Sequence, residues 1–308
     1  MSFALFDISV VIATYNGERY LKQQLDSILA QTHSPEEIII VDDASSDSTV
    51  AILKSYAAND TRFRLLINEK NIGYIRSFER GMLAATCSLI ALSDQDDIWV
   101  PHKLETLFKN MGSSIAVYSD SILVNENGVS SGKKMSDIKN QLSYNNCLMY
   151  TIGAWAPGHA MLFRKELVEN CKPFPGIVTH DFWLGFVAAC NGGIAYVNEA
   201  LVQYRQHTAN AIGANTQRTR KQKPSVEERR KIARQRMQLL YEKCPATLKE
   251  QKQVFEILAV TYQKSDIGSR WKRMITFLQY RDIILAYKKK SAFMRILFCV
   301  KMFFKIDA

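Results

Sequence analysis

Acidic side chains recur where short apolar runs stop. Asp42 and Asp43 follow Ile38 to Val41, Asp94, Asp96 and Asp97 follow Leu89 to Leu92, and Asp120 follows Ile115 to Tyr118. Carboxylates gathered on one edge repel one another unless a cation or hydrogen-bond donors join them. The set therefore points to a divalent metal or to a ligand rich in hydroxyls and amides. A D-x-D spacing such as Asp94 and Asp96 arises by chance on the order of once in a chain of this length. Its place, straight after an apolar run and shortly before Pro101, is what strengthens it. Further along, His180 and Asp181 form a pair able to move a proton, and Arg205 with His207 sets a cation beside an imidazole.

Such acids need a scaffold that brings strand ends together. The apolar runs alternate with segments of helical period, the pattern of βα units around a mainly parallel sheet, in which ligands bind beyond the carboxyl ends of the strands. Strands are expected at 8–13, 38–41, 63–67, 89–92, 115–118 and 160–163. The β-branched run Ile38 to Val41 reads as buried on both faces. Leu21, Leu25, Ile28 and Leu29 share one face of the first helix. The strand from Ile115 is expected to end at Asp120, and the polar stretch from Asn125 to Asn146 reads as a long functional loop.

At 308 residues, 47% hydrophobic and 23% charged, the chain has ordinary globular usage, which excludes a disordered, collagenous or coiled-coil protein. Charge divides it in two. Residues 215–308 hold 23 Lys or Arg against 8 Asp or Glu, whereas residues 1–214 hold 17 against 22. A main domain over 1–214 and a basic helical region over 215–308 are expected, the latter facing an anionic partner. Its final segment, Ser291 to Ile306, follows Lys288, Lys289 and Lys290 and confines its charges to one sector of a helix. That pattern suits either a headgroup-level membrane helix or a helix packed on the main domain. No uncharged apolar run reaches the ~18 residues that a span needs. The apolar start, Met1 to Ala13, lacks a basic n-region and contains Asp7, so it is not read as a signal peptide. The six cysteines show no zinc-type spacing, and reduced thiols are expected. The expected location is cytoplasmic, at the inner face of the membrane.

Five blocks in order carry a family resemblance. They are Val10 to Asn16, Ile40 to Thr49, Asn71 to Gly73, Leu92 to Trp99, and the later pair His180 to Trp183 and Tyr204 to His207 with Asn210. Over about residues 8–213 the sequence resembles a family 2 glycosyltransferase of the GT-A fold, of the bacterial surface-polysaccharide kind, and is most similar to rhamnosyltransferase-like members. The resemblance implies a nucleoside-diphosphate sugar donor, Mg²⁺ or Mn²⁺, inversion at the anomeric carbon, and a saccharide acceptor carried on a lipid. It makes dTDP-rhamnose the first donor expectation, with UDP-linked hexoses open.

Within that frame Ala13 and Tyr15 are expected near the nucleoside, and Asp43 accepts the imide N–H of uracil or thymine or else serves a turn. Asp94 is placed near the ribose or the metal, and Asp96 on the metal. Inversion needs a base opposite the diphosphate, and Asp181 is expected in that role. His180 stands where the family carries a first acid, and is an orienting partner or rival base. His207 completes the metal shell or is structural, and Arg205 forks onto phosphate or is structural. Arg76 faces the diphosphate or solvent, and Trp183 floors a sugar ring or joins the core.

Other classes fit less well. A dehydrogenase needs G-x-G-x-x-G and a P-loop enzyme G-x-x-x-x-G-K-[ST]; neither occurs. A nucleotide-sugar pyrophosphorylase would carry a Gly-rich basic loop where Thr14 to Gly17 stands. Nucleic-acid binding by the basic region is the rival from another class, but its aromatics are interleaved with Leu, Ile and Met at helical spacing. No nucleic-acid partner is expected.

Overall fold

The computed structural model describes residues 6–207 and 225–305. Met1 to Leu5, Asn210, Thr216, Lys221 to Lys223 and Ile306 lie outside the described residues. Strands β1 (Ile8–Thr14), β2 (Glu37–Asp42), β3 (Phe63–Ile67) and β4 (Leu89–Ser93) run parallel in the order β3-β2-β1-β4. They are linked by helices α1 (Leu21–Leu29), α2 (Thr49–Asn59) and α3 (Tyr74–Ala84). After the acid-rich turn come β5 (Ile98–Trp99), α4 (Lys103–Met111), β6 (Ala116–Val124), β7 (Ser130–Lys134) and α5 (Met135–Ile138). Next are β8 (Met161–Arg164), α6 (Glu166–Cys171), α7 (His180–Cys190) and β9 (Ile194–Arg205).

The sheet continues β4-β8-β6-β9-β5. Strand β8 is antiparallel to both β4 and β6, β9 is parallel to β6, and β7 pairs with β6 off this path. Two expectations change here. Strand β6 does not stop at Asp120 but runs to Val124, and the expected loop over 125–146 contains β7 and α5. Asp120 stays buried inside the strand, accepting hydrogen bonds from Ser121 N, Ser136 N and Gln141 Nε2. The carboxylate closes the hairpin onto the sheet instead of facing a ligand.

The two-residue period of the strands sorts their side chains to opposite faces. Val10, Ile12, Ile38 and Ile40 pack with Leu21 and Leu25 of α1 and with Leu104 and Leu107 of α4. Val11 and Ile39 pack on the other face with Phe78 and Met82 of α3, in the same core as α7. All six residues of β2 are buried, as its β-branched run predicts. Gly81 lets α3 approach β1 closely, because a Cβ there would overlap Val11 Cγ1.

At the amino end of β2, Glu37 accepts from Ser9 Oγ, Thr86 N, Thr86 Oγ1 and Arg64 Nη1. Burial pushes this carboxyl up, but hydrogen bonds from Ser9, Thr86 and Arg64 outweigh it and hold it at about 2. A depressed folded-state value contributes stability above the unfolded value of 4.5 that is lost as pH falls through about 2. Glu37→Gln is therefore expected to cost about 3 kcal/mol at pH 7. Urea unfolding at several pH values should show that cost shrinking between about pH 5 and 2; a pH-independent difference would contradict it.

Five helices complete the described chain: α8 (Val226–Lys243), α9 (Lys249–Gln263), α10 (Ile267–Gln279), α11 (Arg281–Ile284) and α12 (Ala292–Phe304). Their Met237, Phe255, Leu258, Phe277 and Met302 belong to the same apolar core as α3 and α7. On α12, Phe298, Cys299 and Met302 are buried, whereas Phe293 and Phe304 are each 67% exposed. The helix therefore packs on the core through one side and leaves apolar side chains exposed on the other. Among the described residues no helix is long and apolar enough to cross a membrane.

Candidate active site

The carboxyl ends of β1, β2 and β4 open onto a cleft of about 800 Å³. Ala13, Tyr15, Asp43, Asp94, Asp96, His180, Asp181 and His207 all line it. Beneath them, Asp42 is a tie between strand ends. It is buried and accepts from Thr14 Oγ1 at 2.9 Å, Ser45 N at 2.9 Å and Ser45 Oγ at 2.6 Å. Asp43 shapes the neighbouring loop by accepting from Asn68 Nδ2, Ile72 N and Gly73 N, each at 2.8 Å. A carboxylate offers about four acceptor positions, so one is left for a ligand N–H.

The acid-rich turn is clamped from below. Arg205 is 1% exposed, its backbone N donates to Asp97 Oδ1, and its guanidinium donates to Asp96 O, Glu126 O and Gln23 Oε1. The expected phosphate fork is thus corrected. Arg205 is not among the cleft's lining residues, and its guanidinium is engaged by the carbonyls of Asp96 and Glu126 and by the Gln23 side chain. Arg76 is also not brought to the cleft. Its head pairs with Glu79 and donates to Phe174 O at 3.2 Å. Trp183 is 2% exposed and donates from Nε1 to Cys171 O, which makes it a core aromatic; its neighbour Phe182 lines the cleft instead.

The two members of the expected metal pair meet. His207 Nε2 lies 2.7 Å from Asp96 Oδ2, with the imidazole ring beside Tyr20. Behind them sits a group that sequence reasoning missed. His159 Nδ1 lies 3.6 Å from Asp94 Oδ2 and 3.8 Å from Asp97 Oδ2, while Lys103 Nζ donates to His159 O and sits 3.3 Å from the Trp99 ring centre. Burial pushes Asp97 up to about 8, with His159 opposing and Asp96 and Asp94 adding to the shift. Burial drives the fully buried Lys103 well below its ordinary value. Burial alone would lower His159, but Asp97 and Asp94 raise it. The turn therefore carries less negative charge at neutral pH than its three carboxyls suggest.

Gln95, also missed, stitches the turn to β1 by accepting from Tyr15 N and donating to Tyr15 O. Gly17 has no Cβ because Gln95 occupies that space. Neither Gln95 nor His159 sits in a periodic pattern; only their place next to the acid-rich turn and before β8 could have signalled them.

The remaining wall comes from the first turn of α7. Asp181 Oδ1 accepts from Thr179 Oγ1 and from Phe182 N, and among the described residues no hydrogen bond engages Oδ2. His180 is stacked on Phe78, its Nδ1 has no partner among the described residues, and burial lowers its basicity. The acid is thus held at a helix N-terminus beside a neutral imidazole.

A mixed sheet of this order, with its acids over the parallel half, is a GT-A arrangement. S. aureus TarS 1–349, in a crystal structure with UDP-GlcNAc, shares it at a TM-score of 0.60 and 16% identity over 90% of this chain and 81% of that one. The chain belongs to glycosyltransferase family 2: the description "Glycosyl transferase family 2" matches residues 9–171. An uncharacterized glycosyltransferase of Nostoc sp. is 30% identical over 237 residues, which are 71% of this chain and 72% of that protein. A UDP-Glc:alpha-D-GlcNAc-diphosphoundecaprenol beta-1,3-glucosyltransferase of Escherichia coli is 28% identical over 193 residues, 62% of this chain and 73% of that protein.

Proposed function

We propose that the chain moves one sugar from a pyrimidine nucleoside diphosphate to a saccharide hydroxyl, with inversion. The observation that carries this reading is the meeting in one cleft of strand-end acids from β2 and the turn after β4 with Asp181 from α7. Inversion in one displacement needs an acceptor of the hydroxyl proton, and Asp181 offers an Oδ2 that no described residue engages, on an element separate from Asp94 and Asp96. His180 packs beside it as a positioning residue.

The donor set fits a hard divalent cation. Asp96 and His207 already converge, Asp94 lines the same cleft, and Asp97 Oδ2 is buried without a hydrogen-bond partner among the described residues. Mg²⁺ or Mn²⁺ held by Asp96 and His207 would neutralise charge growing on the departing diphosphate. The names of the E. coli glucosyltransferase and of the TarS complex favour a UDP-sugar. The acceptor position left on Asp43 serves uracil and thymine alike, so dTDP-rhamnose competes on equal terms there. A thermal-shift screen of UDP-, dTDP- and GDP-sugars with and without Mn²⁺ tests this. A pyrimidine donor with Mn²⁺ is expected to raise Tm by about 5 °C at a hundredfold excess over Kd. A shift by the GDP-sugar alone would overturn it.

The E. coli relative's named acceptor is lipid-linked, and in this chain the exposed face of α10 and α12 supports placement at an anionic membrane. Ile267, Trp271, Ile275, Phe293, Ile296 and Phe304 are exposed there, next to Lys288, Lys289 and Lys290. Apolar side chains at headgroup depth beside a lysine run match an acidic bilayer surface in both hydrophobicity and charge. Phe293→Ser with Phe304→Ser is expected to weaken flotation with anionic liposomes at least about tenfold. Saturable DNA binding at physiological salt without liposome binding would reverse this placement.

A further inference from the structure

The cysteines that look scattered in the sequence do not stay apart. Cys147 opens a short 3₁₀ turn, Cys190 ends α7, and Cys244 caps the carboxyl end of α8. Their Sγ atoms all lie within 4.8 Å of one another. Cys147 and Cys244 are buried and Cys190 is half-buried, which leaves an approach from outside. We infer that Cys147, Cys190 and Cys244 form a three-sulfur site for a soft d¹⁰ cation, Zn²⁺ or Cu⁺, that fastens the C-terminal helices to the catalytic half.

The geometry is close to what such an ion needs. With metal–sulfur bonds of about 2.3 Å, the sulfurs of a tetrahedral or trigonal site stand roughly 4 Å apart. The three therefore have to close by less than ~1 Å. No imidazole or carboxylate joins the group among the described residues, which selects thiophilic ions over Mg²⁺ or Mn²⁺. Each thiol gives up its proton to solvent as the ion binds, so a Zn²⁺ site carries one net negative charge and a Cu⁺ site two. A cation is in place to offset it: Lys252 Nζ donates to Cys244 O at 2.9 Å and to Tyr241 O at 2.6 Å.

The three elements explain what occupancy would do. The 3₁₀ turn runs into the segment from Tyr150 to Pro157 that borders the cleft, α7 carries His180 and Asp181 at its other end, and α8 begins the C-terminal helices. An ion at their junction makes one unit of the wall that holds the base and the helices behind it. The site is separate from the Asp96 and His207 pair and does not depend on the identity of the donor.

Native mass spectrometry of the reduced 308-residue chain tests it, with Zn²⁺ in one arm and Cu⁺ in the other. One ion per chain is expected in at least one arm, with three protons displaced and a higher Tm. The adduct should persist in Cys87→Ser, which lies outside the cluster, and vanish in Cys190→Ser. Loading the wild type with Co²⁺ gives a readout free of any variant, a near-ultraviolet thiolate-to-metal absorption of three-sulfur strength. Absence of an adduct in both arms, its survival in Cys190→Ser, a cobalt spectrum without sulfur bands, or a loss of two hydrogens marking a disulfide would each overturn the site.

Discussion

Asp181→Asn is expected to lower kcat by about 10² to 10⁴ while leaving donor-induced thermal shifts unchanged. The asparagine keeps the size of the side chain and an Oδ1 able to accept from Thr179 Oγ1 and Phe182 N, so the first turn of α7 stays formed. What it removes is the oxygen proposed to take the acceptor's proton. Single-turnover measurements separate that loss from slow product release. Full transfer by Asp181→Asn, with inactivity of His180→Gln, would move the base to the imidazole. His180 is disfavoured in that role because its ring is buried against Phe78 and its ordinary basicity is lowered there.

Asp96→Ala is the second large effect, and it falls on binding. Its carboxylate meets His207 at 2.7 Å, and its backbone carbonyl is held by Arg205 Nε, so the alanine removes the proposed ligand without releasing the turn. The Mn²⁺-dependent part of the donor shift should disappear, and kcat/KM should fall by about 10³ or more, equivalent to several kcal/mol of charge stabilisation. Asp96→Asn, which can still hydrogen-bond to His207, separates loss of the ion from loss of the pair. An unchanged Mn²⁺ response in both variants would place the ion instead among Asp94, Asp97 and His159, whose ligand atoms also lie within 4.8 Å of one another.

The elements that hold the site were legible wherever one physical pattern dominated. Ile38 to Val41 announced a buried parallel strand because branched side chains filled every position, and Asp94 and Asp96 were conspicuous because an apolar run ended on them. Asp120 misled for the complementary reason. An acid after four apolar residues looks like a strand end, yet the chain beyond it supplies Ser136 N and Gln141 Nε2 as donors, and β6 continues. Arg205 and Arg76 look alike in a sequence. Which carbonyls or carboxylates they meet depends on segments as remote as Gln23, Glu126 and Phe174. His159 and the cysteine trio were invisible because their partners are assembled by β8 and α7, and no local spacing encodes that.

The antiparallel insertion of β8 between β4 and β6 sets a schedule for biosynthesis. At ribosomal rates of about 5–20 residues per second, β4 emerges several seconds before the strand that will cover its open edge. Strand β5 waits longer still, since its sheet partner among the described residues is β9, roughly a hundred residues later. During that interval the nascent chain displays an apolar, unpaired border of exactly the kind that recruits other strands. Production of this protein should therefore respond more strongly to chaperone supply and growth temperature than its finished core would suggest.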